Sequence, residues 1–129
     1  MTDIEAALAT WLLAQGSITA LIGDRLYPLV IPQDAALPAV AYQTIGRPRM
    51  RAHGQRARMA RTLVQLTVQA RGYATAHETA GVIIAALDGR RGEMGGMTVI
   101  SMVENDPDSL SSADLESVIR VDVRLIHPV

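Results

Sequence analysis

Between positions 46 and 71 of this chain stand seven arginines and no acidic residue: Arg47, Arg49, Arg51, Arg56, Arg58, Arg61 and Arg71. Guanidinium groups in such density can grip phosphates or carboxylates. Between 104 and 116 stand five carboxylates and no base: Glu104, Asp106, Asp108, Asp114 and Glu116. Three histidines, His53, His77 and His127, are the side chains whose ordinary pKa lies nearest neutral pH.

The spacing of these groups argues against catalysis. No histidine has a second His or a carboxylate placed as in an H-E-x-x-H helix. His77 precedes Glu78, but Glu78 lies three residues after Thr75, the capping-box spacing, which gives the carboxylate a backbone role. The acidic run lacks the loop glycine and terminal glutamate of an EF-hand and reads as a solvated loop. With no cysteine, thiolate metal sites and disulfides are excluded. "GRRGEMGG" (89–96) is glycine-rich, yet it follows a helix and precedes a strand, the reverse of a phosphate-cradling loop, and reads as a turn. No nucleophile elbow, Walker loop or dinucleotide fingerprint is present. The reading is a non-enzyme with no catalytic, cofactor-binding or metal residue.

The elements that must position the charged groups follow from periodicity. A chain of 129 residues supports a single domain, and 49% hydrophobic against 19% charged residues is the balance of a folded one. With no Phe and one Trp, its core must be aliphatic. Ile4, Leu8, Trp11 and Leu12 fall on one face of a helix over 3–15, capped by Thr2 or Asp3 and ended by Gly16. A further helical turn over 17–23 stops at Gly23. Pro28, Pro32 and Pro38 restrict the next segment to an extended path at a sheet edge. Alternation predicts strands at 39–45, from Val64 to Ala70, at 97–103 and at 117–126. "TAHETAGVIIAALDG" (75–89) has an apolar stripe and both ends marked, Thr75 and Glu78 at the start and Gly89 after the end.

The order predicts an α+β fold: a two-layer sandwich in which two helices cover one face of a mainly antiparallel, four- to five-stranded sheet. The domain is 1–129, with a long arginine-rich hairpin loop at about 46–61 and an acidic loop at about 104–116. The other sheet face carries Gln65, Thr67, Gln69, Arg71, Arg120, Asp122 and Arg124, and is either wet or covered by a partner. Asp3 and Glu5 stand where a signal peptide needs basic residues, and no apolar run approaches the ~18 residues of a membrane span. A soluble protein made in the cytosol, without membrane contact, is expected.

Three readings compete for the arginines: a solvated loop, a nucleic-acid arm, and a protein contact. No aromatic lies between Tyr42 and Tyr73 to stack bases, and net charge is only −1. Complementary basic and acidic blocks on one small domain suit a repeated head-to-tail contact, which closes into a ring when its rotation allows.

"IGDRLYPLVIPQDAALPAVAYQTIG" (22–46) and the helix end "AALDG" resemble the tail-completion or tail-terminator proteins of long-tailed, siphovirus-like bacteriophages, prophages and gene-transfer particles. The layout agrees over nearly the whole chain, although Gln69, Ala70 and Arg71 stand where relatives often have an aromatic residue. The resemblance implies a ring, typically a hexamer, at the head-proximal end of the tail tube. There it would stop tube polymerisation and join the tail to head-completion or connector proteins. Partners would be copies of itself, the tail-tube protein and the connector, with DNA only as passing cargo and no cofactor. The protein would be made in the bacterial host cytoplasm and end in the virion tail. Gly23, Asp24, Arg25, Tyr27 and Pro28 would shape an edge turn, for folding or for contact. A nucleic-acid-binding accessory protein is the alternative.

Overall fold

The computed structural model describes residues 3–46, 49–50, 59–104, 109–111 and 116–128. The elements run α1 (Ile4–Leu13), α2 (Gly16–Ile22), β1 (Leu26–Pro28), β2 (Ala39–Gly46), β3 (Arg49–Met50), β4 (Met59–Arg71), α3 (Tyr73–Leu87), β5 (Arg90–Met94), β6 (Met97–Val103), β7 (Ser109–Ser111) and β8 (Glu116–Pro128).

The centre of the sheet is the β4–β8 pair. Both strands alternate along their length, and they pair in register from Met59↔Pro128 to Arg71↔Glu116. One face of β4 (Val64, Leu66, Val68, Ala70) and the matching face of β8 (Ile119, Val121, Val123, Leu125) are fully or almost fully buried. β2 adds Val40 beside β4, β6 adds Val99 beside β8, and α1, α2 and α3 cover this face with Leu8, Leu12, Ile18, Ile22, Ile83 and Leu87. The core is aliphatic, as the composition requires.

The sheet order is β1-β2-β4-β8-β6-β5, with β3 flanking β4 and β7 flanking β8. β1 runs parallel to β2, and every other pair is antiparallel. The fold is α+β as predicted, but the expected four or five strands and two helices become six strands on the main path and three helices, and the sheet is mixed.

Each difference has a local cause. The predicted turn at 89–96 contains β5, because Gly95 and Gly96 both have positive φ (58° and 81°) and fold back as a two-residue hairpin. Gly16 does not end a helix but begins α2. The break lies just before it, at Ala14 and extended Gln15, and turns the two helix axes by 83°. The acidic segment is not all loop, since β7 pairs with β8. α3 starts at Tyr73, two residues before Thr75, because Gly72 at φ 85° turns β4 directly into the helix. The Thr75–Glu78 capping box is therefore not used; Thr75 instead offers its carbonyl to the Thr79 hydroxyl at 2.8 Å. Asp3 is the cap of α1, accepting from the Glu5 N–H at 3.1 Å.

Side-chain hydrogen bonds fasten the layers. Thr44 Oγ1 on β2 donates to Glu5 Oε2 on α1 at 2.5 Å, and Ser101 Oγ on β6 donates to the Leu87 carbonyl at 2.6 Å. His127 is buried on β8: its Nδ1 donates to the Pro128 carbonyl at 2.9 Å, and in that tautomer Nε2 accepts from the Thr62 hydroxyl at 2.7 Å. No single described helix is long and apolar enough to cross a membrane.

Leu66→Ala will cost about 3 kcal/mol of unfolding free energy, as fully buried leucines do. Glu78→Ala will change it by less than about 0.5 kcal/mol, whereas loss of a working cap would cost about 1. Urea unfolding of the two variants reads both values.

Candidate assembly surfaces

The sequence singled out two charged blocks, and the strand register brings one end of each together in the backbone. Arg71 at the end of β4 is the register partner of Glu116 at the start of β8. Glu104, just beyond β6, forms an ion pair with Arg124 of β8. Arg61 is exposed at the opposite end of β4 from Arg71, and Arg49 lies on β3. Arg47, Arg51, Arg56, Arg58, His53, Asp106, Asp108 and Asp114 lie outside the described residues. Among the described residues no group of three His, Asp or Glu side chains is placed to hold a metal ion. His77 is exposed on α3, its ring 5.5 Å from that of Tyr73.

The uncovered sheet face has two zones. Register places Gln43, Gln65 and Asp122 in one row, with Gln65 Nε2 donating to Asp122 Oδ1 at 3.4 Å, and Thr67 beside Arg120 in the next. Towards Arg61 the character turns apolar, with Ile126 between Arg61 and Ile100, and Leu63 and Met102 flanking Arg124. Cations here alternate with carboxylates and apolar side chains. Such a surface lacks the one-sided positive field that phosphate binding needs.

At the β1 edge, the Gly-Asp-Arg motif organises the turn. Gly23 caps α2 at φ 59°, and Arg25 reaches back, its Nε donating to the Pro38 carbonyl at 2.9 Å and Nη2 to the Leu21 carbonyl at 3.1 Å. One side chain thus ties the end of α2 to the start of β2. Tyr27 and Pro28 lie on β1, in register with Ala41 and Tyr42. The next two residues are the most exposed of the large hydrophobic side chains described, Leu29 at 65% and Val30 at 72%.

At the opposite edge, sequence reasoning missed a cleft of about 460 Å³ lined by Trp11, Gln15, Ser17, Val82, Ala85, Ala86 and Arg90. Arg90 lies with Cζ 4.7 Å from the centroid of the Trp11 ring, within cation–π range. Gly92 makes this possible: a Cβ there would come within 2.6 Å of Arg90 Nη2. Arg90 Nε is buried without a hydrogen-bond partner among the described residues. Reading 89–96 as a turn hid Arg90. As a strand, the alternation Arg90, Gly92, Met94 would have put all three on the helix-facing side.

Among the described residues, these surfaces offer guanidinium, carboxylate and apolar side chains of the kinds that grip other proteins. Residues 6–127 match the family model described as tail completion protein gp17, and the chain belongs to that family of structural virion components, which are not enzymes. Its fold is similar to that of a solved chain from the "Virion of native gene transfer agent (GTA) particle", with a TM-score of 0.75 and 19% identity over 98% of this chain and 95% of that one. A second solved chain, whose description gives no function, has a TM-score of 0.56 and 14% identity over 98% and 90% of the two chains. Comparison with curated proteins found no significant match.

Gly92→Ala will lift the guanidinium of Arg90 off Trp11, because the flexible end of Arg90 is what must move. Trp11 is the sole tryptophan, so its emission spectrum will shift, while stability changes by less than about 1 kcal/mol.

Proposed function

We propose that this protein forms a homo-oligomeric ring, six copies being the expected number, at the head-proximal end of a phage-like tail tube. There it ends tube polymerisation and joins the tail to head-completion proteins. Membership of the tail-completion family carries this reading, and the fold likeness to a chain of a gene-transfer virion supports it. The tail-tube protein, the head connector and further copies of the chain are its partners, and DNA passes through as cargo. Assembly takes place in the host cytoplasm, and the product is carried at the head–tail junction.

In a ring, one sheet face or its flanking edges contact the neighbour, burying on the order of 1,000 Å² or more per interface. The edges differ in kind, an apolar loop after β1 and a cleft beside β5, as a head-to-tail contact requires. The arginine-rich segment 46–61 is assigned to contacts with the tube or connector. Too many guanidinium groups on the lumen would hold the passing DNA.

Native mass spectrometry of the protein, alone and with its tail-tube protein, will give a closed ring that survives high salt. A monomer in both conditions overturns the reading. DNA binding that falls steeply between about 50 and 200 mM salt would favour a nucleic-acid accessory role instead. Arg56→Glu combined with Arg58→Glu will abolish joining of ring to tail, read by electron microscopy of assembled tails, and unchanged joining removes the arginine-rich segment from the contact.

A further inference from the structure

Two features without partners lie at opposite edges of the sheet, and their chemistry is complementary. At the β1 edge, Leu29 has a φ of 67°, a left-handed conformation unusual for a bulky side chain. Its N–H donates to the Tyr42 carbonyl at 2.9 Å, so the backbone is held while Leu29 and Val30 project from it exposed. Five residues on, Asp34 is exposed and has no hydrogen bond or ion pair among the described residues. This short loop therefore presents an apolar pair and a free carboxylate.

At the β5 edge, the cleft presents the counterparts. Trp11, Val82 and Ala86 give it apolar walls, and Arg90 gives it a cation that no described carboxylate pairs. The guanidinium is held between the Trp11 ring and Gly92, a pre-set orientation that suits it to a carboxylate arriving from outside. β5 is an edge strand that pairs only with β6 among the described residues.

We infer that the loop 29–34 of one copy seats in the Trp11–Arg90 cleft of the next, Leu29 and Val30 against Trp11, Val82 and Ala86, and Asp34 pairing with Arg90. β1 and β5 are five strand spacings apart, about 24 Å at the usual interval. The contact is heterologous, each copy giving a loop on one side and a cleft on the other. It rests on the ring reading and supplies its side chains.

The chain has no cysteine, which makes a direct test available. Val30→Cys with Ala86→Cys, oxidised, will give a covalent ladder of oligomers ending at the closed ring, because a disulfide forms only where Cα atoms approach within about 7 Å. Neither single variant will give a ladder. In the double-cysteine background, Asp34→Arg will cut the cross-linked fraction about tenfold, and adding Arg90→Asp to it will restore most of the loss. Since Asp34 is exposed, the first change leaves the fold intact, and recovery by the second cannot come from a misfolded chain.

Native mass spectrometry of the unmodified protein, alone and with tail-tube protein, separates the two levels of failure. A ring without a ladder, or a ladder indifferent to Asp34→Arg, overturns this contact and leaves the ring standing. A monomer under both conditions overturns both.

Discussion

The antiparallel pairing of β4 with β8 sets where every other strand of the sheet lies. Thirteen register pairs join the strands without a break. Because side chains alternate along a strand, a slip of one residue would turn the whole apolar set of β4 away from the helices. β2 and β6 take their places by pairing to these two strands, and β1 and β5 follow at the margins. The uncovered face is fixed by the same register. Gln65, Thr67, Arg120 and Asp122 are outward because Leu66, Val68, Ile119 and Val121 are inward.

What was legible in the sequence was what periodicity encodes. The alternation from Val64 to Ala70 and from Ile119 to Leu125 located the central strands, and the stripe of Ile83 and Leu87 located α3. What was not legible depended on backbone freedom at glycines. Gly72, Gly95 and Gly96 adopt positive φ, so a helix starts earlier than its apparent cap and a hairpin occupies an apparent loop. Thr75 and Glu78 have the spacing of a capping box, yet spacing alone does not say where the chain leaves β4. The parallel entry of β1 was also hidden, for three residues ending in proline carry no sign of strand direction.

For the site the division was different. Charge order drew attention to the two blocks, but charge order along the chain carries no sign of which residues will be neighbours. Arg71 and Glu116 are neighbours through the β4–β8 ladder, and Glu104 is held by Arg124. One carboxylate of the acidic block is thus taken up inside one copy, by an arginine outside the basic block. The arrangement of Trp11, Arg90 and Gly92 joins residues far apart in sequence, and no local pattern announces it. The "GDRLYP" stretch carried the family resemblance, and in the structure its arginine does a folding job, binding the carbonyls of Leu21 and Pro38.

The order of strands also has a geometric consequence. Neighbouring strands rotate by roughly 20–25° in a twisted sheet, so across five spacings β5 is turned by about 100° or more from β1. In the proposed ring, a link between one edge and the opposite edge of the next copy would carry that rotation into every step of the assembly. The curvature of such an array would be written in the backbone sterics of each subunit, and a change in the pitch of the sheet would alter the closure angle without touching a single contacting side chain.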